Sequence, residues 1–240
     1  MTVGCRLAAS VCAVLAACHT VQAAAQSIEP QTVVFAARDG VQFTGSVFIP
    51  EKQPAPGVVL LPMAGRTRHD WDAAGAAFAS AGVAALAIDF RPAYSAAAGD
   101  AGGLPDLVRD AEAARAYLAA RPEVSYARIG MAGASLGANV AALAAANDPV
   151  VRSLALLSAS LDYRWLRIEQ AMTKFFGRPA LIVASSEDPY ALRSARTLVS
   201  TGDGLRELRV LSGAGHGTIM LSRQPDLIDA LVDWFLRTLL

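Results

Sequence analysis

The chain has 240 residues, 54% of them hydrophobic and 18% charged, with 21 basic side chains balanced by 21 acidic ones. That length fits one large domain, and so apolar a composition without net charge excludes an intrinsically disordered chain. Zero formal charge also argues against a general nucleic-acid binder, which needs a basic stripe to meet phosphates.

Residues 1–25 read as an export signal and tether, in which Arg6 precedes a short apolar run from Leu7 to Ala17 and small residues follow. The run is too short to span a bilayer. Two endings compete. Val21-Gln22-Ala23 and Ala23-Ala24-Ala25 each fit a small-residue cleavage site, whereas Leu15-Ala16-Ala17-Cys18 resembles the lipobox of bacterial lipoproteins and implies a lipidated Cys18. Both endings predict an exported protein of the bacterial cell envelope or periplasm; only the lipobox ending adds a lipid on Cys18 as a route to the membrane. Cys5, Cys12 and Cys18 are the three cysteines, so the body from residue 30 to 240 holds none for a disulfide or a zinc site.

That body starts with two runs of partial period-two alternation, 32–38 and 41–49, joined at Asp39-Gly40, which predicts an antiparallel hairpin. From Gly57 onward the texture changes to short continuous apolar runs at 57–61, 83–88, 128–132, 154–157 and 179–184. Strands buried on both faces of a parallel sheet look like this. Helical stretches at 70–81, 105–120, 136–147, 189–200 and 224–239 separate them, and 205–211 supplies a last strand. The pattern predicts one α/β domain, a mostly parallel sheet with an N-terminal antiparallel hairpin and helices on both faces. Flexible stretches are expected at 96–103 and 158–177.

Three loop positions carry chemistry. Gly133-Ala134-Ser135-Leu136-Gly137 follows the strand 128–132 and opens the helix after it. In G-x-S-x-G the serine sits on a strained strand-to-helix turn, and the glycines let the helix double back over the strand. A serine nucleophile needs a base. His19 lies in or beside the leader and His69 precedes the serine, whereas His216 sits in Gly213-Ala-Gly-His-Gly217 after the last strand. In a parallel sheet that loop lies at the same edge as Ser135. The third member is a carboxylate that orients the imidazole. Asp188, in Ser185-Ser-Glu-Asp-Pro189 after the strand 179–184, is the choice; Glu187 is its neighbouring rival, Asp162 a stand-in, and a simple helix cap before Pro189 its competing role.

The order Ser135, Asp188, His216, each after a separate strand, resembles the α/β-hydrolase fold over nearly all of the chain from residue 32. The compact size resembles its dienelactone-hydrolase-like and small esterase branches, with serine where the dienelactone hydrolases carry cysteine. The resemblance implies a serine hydrolase that cleaves small carboxylic esters through an acyl-enzyme on Ser135, without cofactor or metal. A peptidase or other acyl transferase on the same fold, and a non-catalytic exported binding protein, are the alternatives. Pro62-Met63-Ala64 stands where many members have His-Gly before an oxyanion donor, so the backbone N–H groups of Ala64 and Leu136 are the implied pair, with Met63 the alternative. Asp89-Phe-Arg91 resembles a family turn without its glycines and implies a turn-fixing Asp89–Arg91 pair. Only 159–177 is left for a cap, room for one short helix whose apolar face would take Leu161, Trp165, Leu166, Ile168, Met172 and Phe175. Tyr163 and Trp165 are expected to border the serine as a shallow wall, with Arg66 and Arg68 near enough to meet a substrate carboxylate. Such a site favours short acyl groups.

Overall fold

The computed structural model describes residue 1 and residues 28–91 and 103–240. The export signal, both cleavage sites, Cys18 and most of the expected flexible stretch 96–103 lie outside the described residues.

β1 (Gln31–Ala36) and β2 (Gln42–Phe48) form the expected antiparallel hairpin, with Gly40 at φ 83° and the Val41 N–H donating to Asp39 Oδ1 at 3.2 Å. The Asp-Gly pair thus closes the turn by its own side chain and by a backbone conformation that glycine adopts freely. The chain continues through β3 (Ala55–Leu61), α1 (Asp72–Ser80), β4 (Ala84–Ile88), α2 (Leu104–Ala119), β5 (Val124–Ala134) and α3 (Leu136–Ala146). After these come β6 (Val151–Leu157), a two-residue pair β7 (Asp162–Tyr163) and β8 (Leu166–Arg167), and α4 (Glu169–Lys174). β9 (Ala180–Ser185), α5 (Pro189–Val199), β10 (Arg206–Leu211), α6 (Ile219–Arg223) and α7 (Asp226–Leu239) complete it.

Eight strands make one sheet in the order β1-β2-β4-β3-β5-β6-β9-β10, with β2 antiparallel to both neighbours and every later pair parallel. The continuous apolar runs are explained by burial on both faces. Val59 and Leu61 of β3, Leu154 and Leu156 of β6 and Ile182 of β9 face the layer of α2, α3, α4 and α5. Their alternates Val58, Leu60, Ala155, Leu157, Leu181 and Val183 face α1, α6 and α7. In that second layer Phe78 and Phe235 meet edge to face at 5.7 Å, a contact worth about 0.5–1.5 kcal/mol beyond its buried area. The order reverses between β3 and β5: the chain leaves β3 for β4 on one side and returns to β5 on the other. The crevice beyond the C-terminal ends of such a pair is where open α/β sheets bind ligands.

Two expectations need correction. Asp89 and Arg91 do not pair. Asp89 accepts from the Arg68 guanidinium and, at 2.8 Å, from the Arg68 N–H, whereas Arg91 reaches Asp110 at 2.5 Å, Asp39 at 3.1 Å and Asp106 at 3.3 Å. Arg91 therefore ties the β1–β2 turn to α2. Burial pushes the Asp110 carboxyl up, and its place against this guanidinium leaves two largely buried charges answering each other. The stretch after β6 is likewise not a single helix. It opens with the β7–β8 hairpin, whose tip residues Arg164 and Trp165 both have positive φ (47° and 78°), before α4 turns Ala171 and Met172 into the core. Leu166, Ile168, Met172 and Phe175 are buried as the apolar face required, but Trp165 is 76% exposed.

Candidate active site

Ser135 stands between β5 and α3 at φ 51°, ψ −116°, a conformation that a side-chain-bearing residue holds only at a cost of about 1–3 kcal/mol. Its surroundings impose it. A Cβ on Gly133 would strike the carbonyl of Gly137, and one on Gly137 would lie 2.6 Å from the Leu61 carbonyl oxygen. Both glycines are therefore required by close approach, as the motif predicts. The Ser135 N–H donates to Leu157 O at 2.8 Å, and its carbonyl starts the helix by accepting from Ala138 and Asn139. The packing of Gly137 on Leu61 and Pro62 brings the N-terminus of α3, with Leu136 first, against the backbone that leads into Met63 and Ala64. Helix-opening N–H groups have no intrahelical acceptor, so this edge is rich in donors.

His216 and Asp188 come to the same place from β10 and β9. β10 is three strands from β5, roughly 14 Å at normal strand spacing, so its loop must reach back across the sheet edge. It does so with Nε2 at 2.8 Å from Ser135 Oγ and Nδ1 at 2.5 Å from Asp188 Oδ2. An ionised carboxylate only accepts, so Nδ1 carries the proton and Nε2 accepts from the serine hydroxyl. Ser135 is buried, while the imidazole is 42% exposed and open to a reactant. Asp188 makes two contacts at once: Oδ1 caps α5 by accepting from the Ala191 N–H at 3.1 Å, and Oδ2 lies 2.5 Å from His216 Nδ1.

The other candidates are engaged elsewhere. His69 is exposed and lies 2.9 Å from Asp72. Asp162 accepts from Arg167 Nε at 2.9 Å and from the Trp165 N–H at 2.7 Å, within its own hairpin. Glu187 turns away from His216 and accepts from Ser185 Oγ (2.6 Å), Gly213 N–H (2.7 Å) and Ser186 Oγ (2.8 Å). These donors, Ser185 foremost, hold its pKa down at about 2. Arg66 is bidentate on Asp70 at 2.8 and 2.7 Å, and Arg68 donates to Asp89 and to Ser46 Oγ, so both guanidiniums proposed for a substrate carboxylate are committed within the protein.

Sequence reasoning missed the residues that hold these loops. Ser158, buried at the end of β6 with φ 50°, accepts from the Gly217 N–H at 2.9 Å beside the imidazole. Nothing in a lone serine after a strand announces that. Thr218 donates to Asp70 Oδ2, and Met63 Sδ rests where a Cβ on Gly217 would come within 2.7 Å. Asn139, fully buried on α3, donates to Ser160 O at 2.8 Å and Leu166 O at 3.0 Å and accepts from the Ser160 N–H at 3.0 Å. With the Tyr190 hydroxyl on Asp162 O at 3.2 Å, this clamps the Tyr163–Trp165 hairpin between the helices that follow Ser135 and Asp188. A buried asparagine one helical turn after a nucleophile is a usable signal, because such an amide needs partners.

Among the described residues no group of three or more His, Cys, Asp or Glu gathers as a metal site, and no helix is long and apolar enough to cross a membrane. Among curated proteins none matches this sequence. Solved structures do. A dienelactone hydrolase from Anabaena variabilis superposes with TM-score 0.72 at 19% identity, covering 88% of this chain and all of the other. The esterase domain of a Rhodothermus marinus protein gives 0.70 at 18% identity, over 88% of this chain and 99% of that one. A thermostable carboxylesterase cloned from a metagenomic library gives 0.68 at 19%, over 88% and 90%. At such identities these likenesses establish the fold. The Dienelactone hydrolase family model matches residues 43–227, which spans β2 to the start of α7 and includes Ser135, Asp188 and His216. On that match the chain belongs to the dienelactone hydrolase family, and with it to the carboxylesterase-like hydrolases of the α/β-hydrolase fold.

Proposed function

We propose that the protein hydrolyses small carboxylic esters through an acyl-enzyme on Ser135. The observation that carries the reading is the unbroken relay Ser135 Oγ–His216–Asp188 at 2.8 and 2.5 Å, with a helix N-terminus beneath the serine. His216 Nε2 takes the hydroxyl proton as Ser135 attacks the ester carbonyl carbon. The carbonyl oxygen becomes an oxyanion bound by the N–H groups of Leu136 and of Ala64, with Met63 the alternative. Collapse expels the alcohol, which leaves with the proton held by His216. Water, deprotonated by the same nitrogen, then attacks the acyl-enzyme and releases the acid. Asp188 stays ionised and stabilises the imidazolium. The cycle calls for no metal or cofactor.

Tyr163 and Trp165 form an open wall in this proposal rather than a closed tunnel, and each unburied CH₂ forgoes about 0.8 kcal/mol of binding. Short acyl chains are the expected substrates. Labelling with a fluorophosphonate tests the whole reading: the wild type reacts and Ser135→Ala does not. Across p-nitrophenyl esters from about two to sixteen carbons, chosen to span up to roughly a dozen added CH₂ groups, kcat/KM should fall with length. A steady rise toward the longest ester contradicts the open wall. Export with lipid attached at Cys18 is part of the same proposal, motivated by Leu15-Ala16-Ala17-Cys18. Mass spectrometry of the mature N-terminus tests it, and an unmodified start at Ala24 or Gln26 would place the enzyme free in the periplasm or medium.

A further inference from the structure

Reaction at Ser135 needs three loops in register: the elbow, the loop after β3 that supplies an oxyanion donor, and the loop that carries His216. The elbow is fixed by its own glycines. The other two loops touch each other directly. Asp70 lies in the 3₁₀ turn Arg68–Trp71, just past the oxyanion loop, and its side chain is only 13% exposed. Arg66 occupies both of its oxygens, and Thr218 Oγ1 donates to Oδ2 from 148 residues away in sequence. Thr218 is 4% exposed and stands two residues after His216. Beside it, Met63 Sδ packs on Gly217.

An Arg66–Asp70 pair at i, i+4 would by itself be an ordinary surface contact. The buried third partner makes it different. A threonine facing away from a loop's own backbone to meet a carboxylate on another segment ties the two segments at one distance. The segment it reaches runs into Met63 and Ala64, and the segment it leaves contains the base. We propose that Asp70, through Thr218, is a positioning residue that sets the gap between the oxyanion-binding N–H groups and His216. It touches no reacting atom. The inference rests on the serine-hydrolase reading and assigns a second carboxylate to that site, one that acts on loop geometry where Asp188 acts on the imidazole.

The consequence follows from how steeply the reaction depends on placement. Misplacement of a reacting group by about 1 Å costs on the order of a hundredfold in rate. Without the Thr218 hydroxyl the His216 loop still has Asp188 and Ser158, so the fold and substrate binding persist while transition-state geometry loosens. Thr218→Val keeps the shape and removes the donor; Thr218→Ser keeps the donor and removes the methyl group. With a p-nitrophenyl acetate assay, Thr218→Val is expected to lose about ten- to a hundredfold in kcat with KM within about twofold. Thr218→Ser is expected to recover kcat to within about threefold of wild type, and affinity for a boronic-acid transition-state analogue should fall and recover in step. Thermal melting of each variant, compared with wild type, reports on the fold. Labelled wild type together with an unchanged kcat in Thr218→Val overturns the positioning role alone. Equal losses in both variants, tracking a lowered melting temperature, also overturn it, because a purely structural contact would behave that way. Wild-type protein that stays unlabelled by the fluorophosphonate overturns both readings. The single result that supports the proposal is loss of kcat at preserved KM in the valine variant with rescue by serine.

Discussion

The turn that carries Ser135 draws on residues within four positions of it in sequence and on the strand ends it presses against. The loop that carries His216 draws on Asp188, Glu187, Ser158, Asp70 and Met63, from the segments that follow three other strands, β3, β6 and β9. Backbone contacts enforce the elbow: a carbonyl of Leu61 sits where any side chain at 137 would go. Side-chain hydrogen bonds enforce the histidine loop, and Gly213, Gly215 and Gly217, all at positive φ, leave its backbone free to follow them. A backbone-enforced turn tolerates no change and carries strain, whereas a loop held by side chains can be adjusted one bond at a time. Ser135 and His216, the proposed nucleophile and base 2.8 Å apart, should therefore fail in different ways when their supports are altered.

The largest effects are expected at the proposed reacting groups themselves. Ser135→Ala and His216→Ala should each lower kcat by about four to six orders of magnitude, with melting temperatures near wild type. Retained esterase activity in Ser135→Ala would remove the elbow from catalysis altogether. Next comes the elbow's support. Gly137→Ala places a Cβ against backbone that cannot swing away and should destabilise the protein by about 3 kcal/mol or more, read from urea unfolding. If that variant melts like wild type, the claim that this turn is enforced by the backbone is wrong.

The histidine loop should respond more mildly. Ser158→Ala leaves the Gly217 N–H without its acceptor, a buried loss of about 1–3 kcal/mol. Because the loop keeps its other ties, reduced kcat should accompany only part of that loss of stability. The smallest effect concerns Glu187, whose pKa is held down at about 2 from an ordinary value of 4.5 by donors that include the Gly213 N–H. A depressed folded-state pKa contributes stability that is complete above the unfolded value and is lost as pH falls toward the folded one. Melting temperature of the wild type should therefore decline between about pH 4.5 and pH 2 more steeply than that of Glu187→Gln. Parallel declines would show that this carboxylate does not tie the acid loop to the histidine loop.

The order of strands and helices was legible in the sequence because burial on both faces of a parallel sheet writes continuous apolar runs, and β3, β5, β6 and β9 are such runs. Asp39-Gly40 announced its hairpin for the same local reason. The β7–β8 hairpin was not legible: its tip is Arg164-Trp165, two residues at positive φ where Asn-Gly would normally signal the turn. Asn139 and Tyr190 hold its base from other helices instead. Pairing of Asp89 with Arg68 and of Arg91 with Asp110 was equally hidden, because charged partners are chosen by proximity in the folded chain.

The sequence by itself determined where a nucleophile can stand, since a strand, two glycines and a helix start are all local features. It also placed Ser135, Asp188 and His216 in an order that brings them to one sheet edge. Only the tertiary structure decided between Asp188 and Glu187, neighbours with the same charge, by turning one toward Nδ1 and spending the other on Gly213. It alone joined Thr218 to Asp70 across 148 residues. Local sequence encodes backbone conformation through sterics that act within a few residues, but the partner of a side chain is set by which loops the sheet brings together.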